Sequence, residues 1–156
     1  TMTDHTEGKL EVRAIENGTV IDHIPSDCLF KIIKILGLDT ETHRITFGMN
    51  LESKRMGTKA IIKINERFCQ QEEINRIAIV APMAAVNIIK NYDVVEKRAV
   101  EVPETIEGFV RCANPKCITN MEPVRTSFTV IHGDEISLRC KYCEKITHQN
   151  SIEITK

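Results

Sequence analysis

Apolar and polar positions in the first hundred residues follow two spacings, one typical of strands and one typical of helices. β-Favouring runs at 10–15 and 19–24 flank Asn17-Gly18, and this dipeptide predicts a tight hairpin turn between them. Further strands are predicted at 43–51, 59–65, 84–90 and 93–95, with a polar loop at 52–58.

Alternation within two of these strands predicts which side chains share a face. The apolar side chains of 43–51 expected on one side are Ile45, Phe47, Met49 and Leu51. In 59–65, Ile62 and Ile64 are expected to point into the core. Lys59 and Lys63 then lie together on the opposite face, with Ile61 between them.

Two segments carry apolar residues at helical spacing. Ser26 is placed to cap a first helix, which should end at Gly37. The apolar face of that helix is Leu29, Ile32, Ile33 and Leu36. A second helix is predicted at 72–81, where Pro82 stops it. The order β-β-α-β-β-α-β predicts an α+β lobe with two helices on one face of a mainly antiparallel sheet.

Composition restricts the class of protein. The chain has 156 residues, 42% apolar and 28% charged, which excludes a disordered or collagen-like polymer. A formal net charge of −1 offers no field to attract nucleic acid or an anionic membrane. No apolar run is long enough to span a bilayer, and residues 1–8 lack a signal-peptide core, so we expect a cytoplasmic protein. Charged, extended sequence from Lys97 to Pro103 predicts a linker between two lobes.

Four of the six cysteines lie in the last third of the chain. Four residues separate Cys112 from Cys117, two separate Cys140 from Cys143, and 22 lie between the pairs. This spacing can bring four sulfurs into a tetrahedron around Zn²⁺, and it leaves no open position for catalysis. A structural zinc would also stabilise a lobe that is too small to bury a sufficient core.

Other interpretations of the cysteines stay open. The four thiols could be free and buried, they could form disulfides, or Cys140 and Cys143 could be a redox pair, although no βαβ pattern surrounds them. His148 could replace one cysteine as a ligand, but a surface histidine is the simpler interpretation. Cys28 and Cys69 are more typical of small packing residues.

No catalytic signature is present in the sequence. Nucleophile elbows, metalloprotease motifs and glycine-rich phosphate loops are absent, and Gly57-Thr58-Lys59 lacks the context of a phosphate loop. Asp22 and His23 are adjacent on a strand and should point to opposite faces. One binding feature remains: Lys59 and Lys63 could both reach one polyphosphate, although the pattern alone favours a solvated strand face with ordinary lysines.

Taken in order, several fragments are similar to one known family. They are 18–25 (GTVIDHIP), 44–46 (RIT), 62–64 (IKI), Ala81-Pro82, Val86-Asn87, 91–95 (NYDVV), the Cys112/Cys117 pair and 140–145 (CKYCEK). From residue 10 to at least 148 the chain resembles the regulatory chain of aspartate carbamoyltransferase, including the cysteine spacing.

The resemblance implies a regulatory subunit in pyrimidine biosynthesis rather than an enzyme. The implied N-terminal domain, 1–102, is a ferredoxin-like βαβ sandwich that binds CTP as feedback inhibitor and ATP as activator. The implied C-terminal domain, 103–156, is a small all-β lobe that holds one structural zinc and docks on the catalytic chain. Two regulatory chains would pair through their N-terminal lobes within a hetero-oligomer. The resemblance implies no contact with nucleic acid or membrane.

The nucleotide pocket can be carried over residue by residue. It would use Val12, Ala14, Ile15, Val20, Asp22, His23, Lys59, Lys63, Asn87, Ile89, Tyr92, Val94 and Lys97. By the resemblance, Lys63 and Lys97 meet phosphate or ribose oxygens, Asp22 bonds the ribose, and backbone groups of 12–15 read the base. Arg13 replaces a glutamate and Thr58 a basic residue of the better-known members, which leaves the nucleotide preference open.

Two other functions stay open. A zinc-ribbon nucleic-acid binder would need a basic, aromatic-rich zinc lobe. Between residues 108 and 148 there are six Lys or Arg against four Asp or Glu, and Phe109, Phe128 and Tyr142 are the only aromatics. A free-standing nucleotide sensor would differ only in lacking a catalytic partner.

Overall fold

A computed structural model describes residues 14–155, which form two antiparallel sheets and three helices. The strands are β1 (Gly18–Ile24), β2 (Ile45–Ser53), β3 (Gly57–Asn65), β4 (Ala85–Lys90), β5 (Asp93–Ala99), β6 (Thr105–Glu107), β7 (Ser127–Ile131), β8 (Ser137–Cys140) and β9 (Ile146–His148). The helices are α1 (Leu29–Ile35), α2 (Gln71–Ile77) and α3 (Ile118–Met121). No helix within 14–155 is long and apolar enough to cross a bilayer. The predicted strand residues 10–13, which include Val12 and Arg13, lie outside the described residues.

The N-terminal sheet has the strand order β2-β3-β1-β4-β5. With α1 between β1 and β2, and α2 between β3 and β4, this is the ferredoxin-like βαββαβ arrangement with one added edge strand. The two helices contact each other, and their fully buried residues Leu29, Ile32, Ile74 and Ile77 join one core with the sheet. The predicted α+β fold is confirmed.

The predicted hairpin at Asn17-Gly18 is wrong. β1 is bonded on both sides, since Gly18 pairs with Asn65 of β3 and with Ile89 of β4, and no edge is left for the preceding segment. Glycine is required here because β3 approaches closely: a Cβ on Gly18 would lie 2.0 Å from the Ile64 carbonyl oxygen. The dipeptide therefore marks a close backbone contact.

The predicted apolar face of β2 is also wrong, because a bulge interrupts the strand. The register with β3 shifts between Gly48 and Leu51, and Asn50 has a φ of 60°. Phe47 stays on the helix side, where its ring is 6.2 Å from that of Phe30. Leu51 pairs with Lys59 and has moved to the opposite face. The polar loop is shorter than predicted, since β2 runs to Ser53 and β3 begins at Gly57.

Both helices differ from prediction at their ends. Ser26 does not cap α1, because its Oγ accepts a hydrogen bond from the Asn50 N–H at 3.0 Å. The end at Gly37 is confirmed by its left-handed φ of 66°. α2 stops at Ile77, earlier than predicted, because the Val80 N–H bonds the Ile77 carbonyl and the chain turns before the proline.

The linker prediction is wrong in part, since β5 continues to Ala99 and pairs with β4. Val100 and Val102 then pack against the core as the chain crosses to the second lobe. That lobe is a four-stranded sheet of order β6-β7-β8-β9 around Phe128, Leu138 and Ile152. Among described residues, this lobe departs from the predicted all-β structure at the single turn of α3 and at a 3₁₀ turn, Gln149–Ser151.

A polar network ties the loop after α1 to the loop before α2. The Glu41 carboxylate accepts hydrogen bonds from His43 Nδ1 at 2.7 Å and Arg67 Nη1 at 2.9 Å, while Arg67 Nη2 also bonds Glu73. The Glu41 side chain is only 12% exposed. The hydrogen bonds from the side chain and backbone of His43, with Arg67, lower the pKa of Glu41 to about 2.

This network predicts a loss of stability in acid. A lowered carboxyl pKa gives stability that is complete above the ordinary value and is lost as the pH falls toward the folded-state value. The melting temperature of the wild type should exceed that of Glu41→Gln at neutral pH, and the difference should shrink between pH 4.5 and about 2. Thermal unfolding of both proteins across this range measures it. A constant difference would contradict the assignment.

Candidate functional sites

The four clustered cysteines come together at one end of the second lobe. Their sulfur atoms all lie within 4.8 Å of one another. The Sγ of Cys112 is 3.6 Å from that of Cys143, and the Sγ of Cys117 is 3.7 Å from that of Cys140. A disulfide needs about 2.05 Å, so the disulfide interpretation is excluded for these pairs. Because Cys140 and Cys143 belong to a four-sulfur cluster, they do not form an isolated redox pair.

Two short loops hold these sulfurs in place. In the first, Asn120 Nδ2 donates to the carbonyl oxygens of Cys112 and Asn114 at 3.0 and 2.7 Å. In the second, the chain turns tightly after β8, where the Glu144 N–H bonds the Cys140 carbonyl at 2.9 Å and Glu144 has a φ of 67°. Hydrogen bonds to backbone carbonyl groups therefore fix both loops.

Burial and hydrogen bonds act differently on the thiols of the cluster. Burial raises the pKa of the Cys112 thiol to about 12 and also raises that of Cys140. Burial acts to raise the pKa of Cys143 too, but hydrogen bonds from the Lys145 backbone and the Asn114 side chain lower it to about 7. A divalent cation would stabilise all four as thiolates. His148 lies outside the cluster, so it does not replace a cysteine.

The other two cysteines take no part in this cluster. Cys69 is 1% exposed in the N-terminal core. The Cys28 thiol donates to the Val80 carbonyl oxygen at 3.3 Å. Both therefore pack within the N-terminal lobe.

A second set of chemistry-bearing residues lies on the N-terminal sheet, on the face away from the helices. Val20 pairs with Lys63 on one side and Asn87 on the other, and Asn87 pairs with Lys97. Directly paired residues project to the same face, so these four side chains form one row across four strands. Thr46 extends the row by pairing with Lys63.

Further predicted residues flank this row. On one side Lys59 Nζ lies 2.9 Å from Asp22 Oδ1, with both side chains about four-fifths buried. On the other side Ile89 pairs with Val94. Burial lowers the pKa of Lys63, and the nearby Asp22 carboxylate partly opposes this effect. The structure therefore brings three lysines and a carboxylate onto one face.

His23 occupies an irregular position beside Asp22. The register between β1 and β3 shifts after Ile21, and His23 has a φ of 58°. The His23 N–H donates to Asp22 Oδ1 at 2.6 Å. Its buried Nδ1 has no hydrogen-bond partner among the described residues. The strand alternation predicted for these two residues is therefore replaced by a bulge that leaves one imidazole nitrogen available.

The remaining predicted residues lie at one end of the face. Tyr92, 65% exposed, occupies the turn between β4 and β5. Its N–H bonds the Glu16 carbonyl at 2.9 Å, which brings the segment with Ala14 and Ile15 beside this turn. Ala14 is exposed and Ile15 is buried. Val12 lies outside the described residues.

The sequence interpretation missed Thr46 and Leu51 on this face. Thr46 belongs to it because of its pairing with Lys63, and Leu51 because of the bulge in β2. A strand register is set by partners distant in sequence, and no local signal could have identified these two residues.

Comparison with known proteins gives a consistent result over the whole chain. The model for the aspartate carbamoyltransferase regulatory chain, allosteric domain, matches residues 10–101, and the model for its metal binding domain matches 104–153. Among curated relatives, the aspartate carbamoyltransferase regulatory chain of Bacteroides fragilis is 52% identical over 145 residues, 93% of this chain and 95% of the relative. That of Phocaeicola vulgatus is 50% identical over 153 residues, 98% of each. That of Pyrococcus horikoshii is 50% identical over 146 residues, covering 92% and 96%.

The cysteine cluster predicts that substituting one of its cysteines, but not a cysteine elsewhere, removes the bound metal. Cys140→Ser removes a fully buried ligand, so the purified chain should lose its bound metal and the cooperative unfolding of the second lobe. Cys28→Ser is the matched control, because Cys28 lies outside the cluster. Elemental analysis and thermal unfolding by circular dichroism measure the two effects. Full metal content in Cys140→Ser would contradict the ligand set.

Proposed function

The chain belongs to the aspartate carbamoyltransferase regulatory chain family, and on this premise we propose that it couples nucleotide binding on its N-terminal sheet to the catalytic chain through a zinc lobe. The regulatory chain is the non-catalytic subunit of that enzyme, and the catalytic chain is its partner. We place the domain boundary between residues 102 and 103, which agrees with the matched ranges 10–101 and 104–153.

The lysine row is the observation that supports nucleotide binding. Lys63 and Lys97 lie in one row, with Val20 and Asn87 between them, so ribose or phosphate oxygens held above this row could contact both ammonium groups. Asp22 holds Lys59 at 2.9 Å, and a ribose hydroxyl near this pair could donate to the carboxylate. CTP and ATP are the proposed effectors.

The base would lie at the end of the face where Tyr92 meets the segment before β1. Ile89 and Val94 provide apolar contact there, and backbone groups near Ile15 provide hydrogen bonds. Together with Val12 and His23, these residues complete the proposed pocket. Thr58, which precedes Lys59, is uncharged and adds no positive charge to the proposed pocket.

The metal is proposed to be zinc, one ion per chain. A Zn–S distance of about 2.3 Å in a tetrahedron requires sulfurs about 3.8 Å apart. The S–S separations of 3.6 Å for Cys112–Cys143 and 3.7 Å for Cys117–Cys140 agree with this requirement. With four protein ligands no position is open to substrate, so the ion would be structural and would supply about 10–16 kcal/mol of apparent binding energy.

The surface around the cysteine loops supports docking on the catalytic chain. Four large apolar side chains of this lobe are exposed between 40% and 68%: Ile118, Met121, Tyr142 and Ile146. Exposed apolar side chains concentrated in a small lobe are typical of a protein interface. Because Ile118 follows one ligand cysteine directly and Tyr142 lies between two others, losing the metal would disrupt the surface.

The proposal extends to the pairing of two chains and to the location of the complex. Two chains would pair through their N-terminal lobes, where Phe30 and Phe47 form an exposed aromatic contact, 59% and 46% exposed. The complex would act in the cytoplasm, without nucleic acid or membrane. Nucleotide control requires unequal affinity for the two states of the catalytic chain, typically by about 1–3 kcal/mol.

The first prediction concerns zinc and assembly. Removing zinc with a mercurial should release the catalytic chain, because the docking lobe unfolds, while nucleotide binding is largely retained. The tagged chain is used to capture partners from native lysate before and after treatment. Capture of the catalytic chain excludes a free-standing sensor, and capture that survives metal removal contradicts the docking role. Nucleic acid in place of protein would favour the zinc-ribbon alternative.

The second prediction concerns the lysine row. Lys63→Ala removes one charge-assisted contact and should weaken CTP or ATP binding by about tenfold or more in calorimetry. Lys34→Ala is the control, since Lys34 is an exposed residue of α1 on the other side of the sheet. Unchanged nucleotide affinity in Lys63→Ala would reject the pocket.

A further inference from the structure

A cavity of about 280 Å³ lies where α2 meets the second lobe. Its lining includes Glu72 and Arg76 from the helix region, and Pro103, Ile106, Phe109 and Arg125 from the linker and the second lobe. It is separate from the lysine row, because α2 packs on the opposite face of the N-terminal sheet. Two guanidinium groups, one from each lobe, line the same small space.

Arg76 is held by an aromatic ring. Its guanidinium carbon lies 5.3 Å from the ring centroid of Phe109, a cation–π contact between the lobes. Within residues 14–155 no carboxylate forms an ion pair with this guanidinium. Stacking uses the face of the guanidinium plane and leaves its N–H donors at the edge.

Arg125 is held by backbone. Its side chain lies over Gly108, where an added Cβ would be 2.9 Å from Nε, and Gly108 has a φ of 75°. Its Nη2 donates to the Glu107 carbonyl oxygen at 3.2 Å. No ion pair to this guanidinium is found in the described part of the chain either. Both arginines are therefore positioned without using a carboxylate.

We propose that this cavity binds a small anion carrying a carboxylate or phosphate group, which bridges Arg76 and Arg125. The guanidinium groups of both residues match the planar or tetrahedral oxygens of such anions. The volume admits an inorganic ion or a few-carbon acid. Glu72 and Glu107 also line the cavity and would oppose a free anion, so the binding is weak.

The proposed anion site lies between the two lobes and would affect how firmly they are joined. Arg76 belongs to α2 and Arg125 to the loop before β7, so an anion held by both would connect the two lobes. On the same helix, Asn75 Oδ1 accepts a hydrogen bond from the Glu101 N–H of the linker at 3.1 Å. Anion binding would therefore stabilise the junction. Anion binding at this junction does not require nucleotide binding on the lysine row.

The test is a titration of the metal-loaded full chain with inorganic phosphate, and separately with malonate, at constant ionic strength. Arginine Nε–H resonances report binding directly, and the Arg76 and Arg125 signals should shift together and saturate. Arg76→Gln and Arg125→Gln should each weaken the affinity by about tenfold. Saturation by only one of the two probes identifies which anion class the site takes.

Matched controls separate this site from the lysine row. Lys63→Ala should leave the titration of the arginine signals unchanged, and Arg125→Lys, which keeps the charge but loses the fork, should bind more weakly than wild type. Unchanged melting temperatures of the variants without anion establish that they fold. Shifts that do not saturate with either probe, or an affinity that is unchanged in Arg125→Gln, would overturn the proposal.

Discussion

The pairing of β1 with β3 and β4 at once is the constraint on which the N-terminal lobe depends. It requires glycine at position 18, because β3 passes too close for any Cβ. It also places Ile21 between Ile62 and Val86 on the helix side, while Val20 lies between Lys63 and Asn87 on the other. One register thus builds the hydrophobic core and the proposed binding face together, so a slip of one residue would destroy both.

The second lobe depends on a different interaction. Its sheet is short, and a chain of this size buries too little apolar surface to be stable alone. Four thiols gathered by two hydrogen-bonded loops supply the missing constraint once a metal binds. Buried residues of both lobes, including Ile106 and Val110, belong to one hydrophobic core cluster. Metal binding at one end can therefore affect a junction that includes Arg76 and Phe109.

Much of the fold could be read from local pattern. The cysteine spacing predicted the cluster, since two short chelating loops need no distant information. The end of α1 at Gly37 and the core-facing Ile62 and Ile64 were predicted for the same reason. The errors arose where a distant strand decides the outcome. Gly18 looked like a turn residue because nothing in its neighbourhood reveals the approach of β3.

The sequence by itself determined the order of strands and helices, the two amphipathic helices, the cysteine cluster and the family. These features depend on residue type and short-range spacing, because hydrophobic burial and metal chelation both act on residues that are close together in the chain. Tertiary structure alone decided the sheet order, the bulges at His23 and Asn50, and the row that joins Lys63 to Lys97. It also decided the pairing of Arg76 with Phe109. Such contacts join residues that are far apart in the chain, and their geometry is set only when the strands have paired.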